Sequence, residues 1–74
     1  LKRHITPRQL ETFATVARLG SFSRAAETLH LTQPAVSIQI RQLADTLGLP
    51  LFEQIGRDIR LTAAGEELLA TVRV

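Results

Sequence analysis

Between Ser21 and Leu47 the chain reads SFSRAAETLHLTQPAVSIQIRQLADTL, two helical patterns separated by too few residues for anything but a tight turn. The second pattern opens at Thr32, whose hydroxyl can accept from the free backbone N–H groups of a helix start, and Pro34 is tolerable only because it falls in the first turn. Val36, Ile40, Leu43 and Leu47 then recur at steps of four, three and four, which places them on one stripe facing a core. Pro34, Ser37, Ile38 and Arg41 make the opposite stripe, which carries no carboxylate. Gly48 ends the pattern and Leu49-Pro50 prevents its continuation, so the spacing predicts a helix over 33–47. In the shorter pattern before it, 24–29, Ala25 and Ala26 are small enough to admit a close neighbour, and Leu29 is expected to turn inward. His30 and Leu31 form the turn without the glycine that such turns often contain.

The flanking residues complete the architecture. Thr6-Pro7-Arg8-Gln9 supplies an N-cap, a proline at the first helical position and a glutamine placed to close a capping box. Leu10, Phe13, Ala14 and Ala17 follow at helical spacing and Gly20 stops the run, which predicts a helix over 7–19 with Ser21 or Ser23 capping the next. Beyond the 33–47 helix, residues 51–55 (LFEQI) and 58–61 (DIRL) are two short runs mixing apolar and polar residues on either side of Gly56-Arg57, the pattern of a small hairpin. Thr62 then caps a last helix from Ala63, with Leu68, Leu69 and Val72 on its apolar side. The expected fold is mainly α, a winged helix-turn-helix: a three-helix core, a two-stranded wing and a C-terminal linker helix. Residues 1–61 are expected to form the domain and 62–74 the start of the linker. The chain lacks an initiator methionine and its last residues still follow a helical pattern, so a longer parent protein is expected.

Composition narrows what such a fold can do. A chain of 74 residues is one domain and buries only about 60% of the surface its unfolded form exposes, so stability is modest. There is no cysteine to provide a disulfide or thiolate site, and His4 and His30 alone do not make a zinc site, which leaves self-association as the available staple. No apolar run approaches the roughly 20 residues that cross a bilayer, and nothing reads as a signal peptide; a cytoplasmic protein without membrane partners is expected. Net charge is only +2, but the nine cations are eight arginines and one lysine, a bias toward the planar fork that suits phosphate and guanine. Lys2, Arg3 and Arg8 cluster at the start, and Arg57 lies between the two strand patterns. No nucleophile, base or paired carboxylates are grouped together; Glu66-Glu67 and Glu53 have no histidine, cysteine or lysine beside them, and catalysis is not expected.

Taken together, Gln9-Leu10 with Phe13 and Val16-Ala17, then residues 20–26 (GSFSRAA), 31–37 (LTQPAVS), 51–53 (LFE), Gly56-Arg57 and 61–65 (LTAAG) identify a pattern. Over Arg8 to Leu69 the chain resembles the N-terminal winged helix-turn-helix domain of LysR-type bacterial transcription regulators. Residues 31–37 and 48–56 look like the subgroup that controls carbon-fixation operons. Two positions depart from the wider pattern: Ile38 and Gln54 stand where arginine is common. The resemblance implies that the 33–47 helix enters the major groove of double-stranded DNA. It further implies a C-terminal domain outside this chain that binds a small-molecule effector, and assembly into dimers of dimers; this chain itself needs no cofactor or metal.

The chemistry of the outward face fits that implication. Gln33 can pair with two positions on adenine, Pro34 and Ala35 offer a flat apolar surface to thymine methyls, Ser37 can donate or accept, and Ile38 suits a thymine methyl. Ser23, Arg24 and Thr32 at the two helix starts, with Arg41 one turn further on, are candidate phosphate contacts. Arg57 has the reach and charge for a narrow minor groove. The last helix, through Leu68, Leu69 and Val72, is expected to pair two copies into a homodimer. The competing reading is a winged-helix module that docks proteins rather than DNA, since this fold serves both ends. Against it, the face holds Gln33, Ser37 and Arg41 and no acidic group, with Ile38 its one supporter. RNA binding would call for exposed aromatics, whereas Phe13, Phe22 and Phe52 all occupy positions expected to be buried.

Overall fold

The first helix, α1 (Pro7–Leu19), begins where the capping box forms. The Gln9 backbone N–H donates to Thr6 Oγ1 at 3.0 Å and the Thr6 N–H donates back to Gln9 Oε1 at 3.1 Å, so two of the free donors at the helix start are satisfied reciprocally. The computed structural model describes residues 4–72, and Lys2 and Arg3 of the N-terminal basic cluster lie outside the described residues. Helix α2 (Phe22–Leu29) starts two residues before the expected position because Ser21, not Ser23, is its cap: Ser21 Oγ accepts from the Arg24 N–H at 3.1 Å. Helix α3 (Gln33–Leu47) has the expected bounds, with Thr32 Oγ1 accepting from the Ala35 N–H at 3.2 Å and Gly48 ending it at φ 76°.

The turn between α2 and α3 manages without glycine because His30 takes the left-handed conformation itself, at φ 58° and ψ 42°. Histidine tolerates that region better than branched residues do. With His30 so placed, the Leu31 N–H reaches back to the Ala26 carbonyl at 2.9 Å and closes the end of α2.

Strands β1 (Phe52–Ile55) and β2 (Asp58–Leu61) pair antiparallel, Phe52 opposite Leu61 and Ile55 opposite Asp58, around a turn in which Gly56 supplies a φ of 62°. Helix α4 (Ala63–Val72) follows after the single residue Thr62. Thr62 ties its start to the loop before the wing: Oγ1 donates to the Pro50 carbonyl at 2.7 Å and accepts from the Gly65 N–H at 3.0 Å, while the Thr62 N–H donates to the Leu51 carbonyl at 3.0 Å. Among the described residues no helix is long and apolar enough to cross a membrane.

The core lies where α1, α2 and α3 meet. Phe13, Val16, Ala25, Val36, Leu43 and Leu51 are fully buried, and Ala26 and Ile40 nearly so. The small side chains of Ala25 and Ala26 sit within that cluster, as the close approach of a neighbouring helix requires. Three sequence expectations change here. Leu47 is 39% exposed, because the apolar stripe of α3 leaves the core after Leu43. Leu29 is only half-buried and stands outside the core cluster, whereas Leu31 of the turn packs against it. Of the aromatics only Phe13 is fully buried; Phe22 and Phe52 are half-buried and complete a stack, with ring centroids 5.5 Å apart for Phe13–Phe52 and 5.7 Å for Phe22–Phe52. That stack fastens the wing to α1 and α2.

A polar seam sets α3 against α1. Thr12 Oγ1, buried in α1, donates to Gln39 Oε1, and Gln9 Nε2 donates to Gln42 Oε1 at 3.3 Å. Among the described residues every buried side-chain nitrogen and oxygen has a partner, so the seam specifies the register of the two helices without leaving a desolvated group unpaired.

Candidate nucleic-acid interface

The N-terminal turns of α2 and α3 open beside the wing, because the three-residue turn 30–32 brings the second helix back across the first. Between them lies an open concavity lined by Ser21 and Ser23 from the start of α2, Gln33 and Ser37 from α3, and Gln54 and Arg57 from the wing. Among the described residues no carboxylate lines it. Neither α2 nor α3 carries an acidic residue in its first turn, so the partial positive charge of both helix starts is uncompensated.

The sequence-derived residues fall into three groups, with Ala35 apart from them. Ser23, Gln33, Ser37 and Arg57 are brought together around the concavity, Ser37 half-buried and the others exposed. Arg24, Thr32, Pro34, Ile38 and Arg41 are exposed but outside its lining, Ile38 at 54%. Ala35 is half-buried, so it offers its methyl group at most as a flat edge. The stripe opposite Val36, Ile40 and Leu43 is therefore accessible, as its spacing requires.

The hydroxyls at the two helix starts are not equivalent. Thr32 Oγ1 accepts the capping hydrogen bond from Ala35, which leaves its proton available for an acceptor. Ser23 Oγ instead donates to Gln33 Oε1 at 3.1 Å. The third group is Leu68, Leu69 and Val72 on α4, all half-buried, with Leu68 and Leu69 packed against this domain's own core.

Gln54 joins the site unforeseen. Period-two alternation along β1 puts it on the same side as Phe52, and that alternation was the available signal. Its Nε2 also donates to the Gly56 carbonyl at 3.3 Å, bracing the turn that carries Arg57.

Three helices, a two-stranded wing beside the third, and a carboxylate-free concavity between them define a winged helix-turn-helix domain. Residues 7–66 match the family described as bacterial regulatory helix-turn-helix protein, lysR family. The chain is 67% identical over 66 residues to a RuBisCO operon transcriptional regulator of Acidithiobacillus ferrooxidans, covering 89% of this chain and 21% of that protein. It is 57% identical over 65 residues to a RuBisCO operon transcriptional regulator of Allochromatium vinosum, covering 88% and 22%. Among solved structures, a LysR-family transcriptional regulator from Eggerthella lenta superposes with a TM-score of 0.90 at 40% identity, covering 93% of this chain and 99% of that one. A CbnR DBD–DNA complex superposes with a TM-score of 0.83 at 42% identity, covering 89% and 76%. The chain belongs to the lysR family of bacterial helix-turn-helix regulatory proteins. It is a DNA-binding helix-turn-helix domain of that family, and it spans about a fifth of the length of the curated relatives it matches.

Proposed function

We propose that α3 lies in the major groove of an operator, with Gln33, Pro34, Ala35, Ser37 and Ile38 toward base edges, and that Arg57 enters the flanking minor groove. The observation that carries this reading is the concavity itself, which sets Gln33 and Arg57 on a single open, carboxylate-free surface. Arg24, Thr32 and Arg41 hold phosphates on either side, because they are exposed and lie on the helices that flank the concavity. Gln33 selects adenine by pairing with both hydrogen-bonding positions of its major-groove edge.

Titration of the chain with operator-like and scrambled duplexes at two salt concentrations tests the reading. Preference for the operator should persist at the higher salt; equal affinity for both duplexes at every salt would refute it. Gln33→Ala should cost about 1–3 kcal/mol and relax preference at one base pair. Arg57→Ala should weaken binding to all sequences alike and reduce the slope of log K against log salt by roughly 0.9 for each phosphate that is no longer neutralised. A loss confined to one base pair would instead make Arg57 a base reader.

For the whole protein, we propose a cytoplasmic regulator of a carbon-fixation operon, on the strength of its similarity to RuBisCO operon regulators. Residues 1–61 serve as its DNA-binding domain and 62–74 begin the linker, with an effector-binding domain beyond. One domain touches too few base pairs to be selective, so two copies pair through the α4 helices, extending the apolar edge at which the exposed Leu47 and Leu49 meet Leu68. The dimer then addresses half-sites about 34 Å apart or a multiple of it, and two dimers make a tetramer. Sedimentation of the chain with a palindromic site should give two chains per duplex.

A further inference from the structure

We infer that Ser23 is a positioning residue for base selection, acting through Gln33, rather than a phosphate contact. The inference rests on the reading of Gln33 as a base-contacting residue. Three hydroxyls crowd the starts of α2 and α3, and their hydrogen bonds separate them. Ser21 and Thr32 each accept from a backbone N–H three residues on, which is the capping role, and each retains its proton. Ser23 has no capping role, and its proton is directed at Gln33 Oε1, 3.1 Å away across the gap between the two helices. A serine has one proton to donate. With that proton on Gln33, Ser23 presents only lone pairs elsewhere, and lone pairs repel a phosphate oxygen.

The consequence falls on Gln33. It is the first residue of α3 and exposed, so an unsupported glutamine there would sample several rotamers and both orientations of its amide. The Ser23 hydrogen bond anchors the amide oxygen toward α2 and thereby sets which edge of the group donates. Oε1 has a second lone pair, so accepting from Ser23 leaves one acceptor for adenine N6, while Nε2 remains free to donate to N7. A side chain already held in its bound geometry loses less freedom on binding, and it discriminates more sharply against bases that do not match.

The test uses the full chain carrying Ser23→Ala, Ser23→Thr, Gln33→Ala or the Ser23→Ala/Gln33→Ala pair, titrated against an operator duplex and its single-base-pair variants at two salt concentrations. Ser23→Ala should lose about threefold to tenfold in discrimination at the base pair where Gln33→Ala loses it, the span expected of one hydrogen bond. Discrimination at other positions and the salt slope should stay as they were. Ser23→Thr, which keeps the hydroxyl, should restore discrimination, and the double variant should be no worse than Gln33→Ala. Ser23 is exposed, so the thermal midpoint should not move. An even loss over all duplexes with a slope lower by roughly 0.9 would make Ser23 a phosphate contact and overturn the inference; so would additive losses in the double variant. If Gln33→Ala alone leaves every base preference intact, base reading by Gln33 fails and the role of Ser23 falls with it. If Gln33→Ala loses discrimination and Ser23→Ala does not, only the positioning role is overturned.

Discussion

Phe13→Ala should destabilise the domain by about 3–5 kcal/mol, the usual cost of emptying a buried aromatic site. Phe13 is fully buried on α1, inside the cluster to which Val16, Val36 and Leu43 also belong, and its ring meets Phe52 of the wing at 5.5 Å. Two effects combine: the core gains a cavity, and the wing is deprived of its inner stacking partner, leaving Phe52 only Phe22. For a chain of 74 residues total stability is expected at about 4–11 kcal/mol, so the loss removes at least about a quarter of it and, at the low end of that range, leaves the variant unfolded. Chemical denaturation followed by circular dichroism measures this directly. A midpoint close to that of the parent would mean that the aromatic stack is peripheral and that the wing is held by other contacts.

Gly65 is the second sensitive position, for the opposite reason. It is buried in the first turn of α4, and a Cβ built there would collide with the Leu51 carbonyl oxygen and come within 2.8 Å of Leu61 Cδ2. The Leu61 methyl can move aside; the backbone carbonyl cannot, because it accepts the Thr62 N–H at 3.0 Å in the junction that joins α4 to the wing. Gly65→Ala gains about 1 kcal/mol of helix propensity and loses about 3 kcal/mol to overpacking, a net destabilisation of about 2 kcal/mol. In a domain of this size that lowers the thermal midpoint by roughly 8–16 °C. Gly65→Val, with a larger side chain and little propensity gain, should fall further still. A rise in midpoint for the alanine variant would show that propensity dominates and that α4 stands away from the Leu51 carbonyl.

Local signals in the chain were informative because they act within three or four residues of themselves. The Thr6–Gln9 capping box, the Thr32 cap, the Gly20 and Gly48 stops and the Gly56-Arg57 turn each involve groups that meet whatever the rest of the chain does. The outward stripe of α3 was legible for the same reason, since helical period decides which residues stand opposite Val36, Ile40 and Leu43. His30 was less so. Its left-handed backbone meets the same geometric demand as a glycine; histidine takes that conformation more readily than most side chains, but most histidines do not adopt it, so the residue type carries little warning.

What the order of residues determined by itself was the set of elements, the ends of α1 and α3, and the polar, carboxylate-free face that α3 would present. Tertiary contact alone decided how far the apolar stripes run, leaving Leu47 exposed and drawing Leu31 into the core in place of Leu29. It also decided that Gly65 had to lack a side chain, that α4 packs Leu68 and Leu69 on its own domain, and that Gln54 joins the concavity. Above all it decided that Ser23 faces Gln33 instead of capping α2. The physical reason is range: caps and helical period are set by neighbours along the chain, whereas burial, close backbone approach and a hydrogen bond between two helices exist only after distant segments have packed.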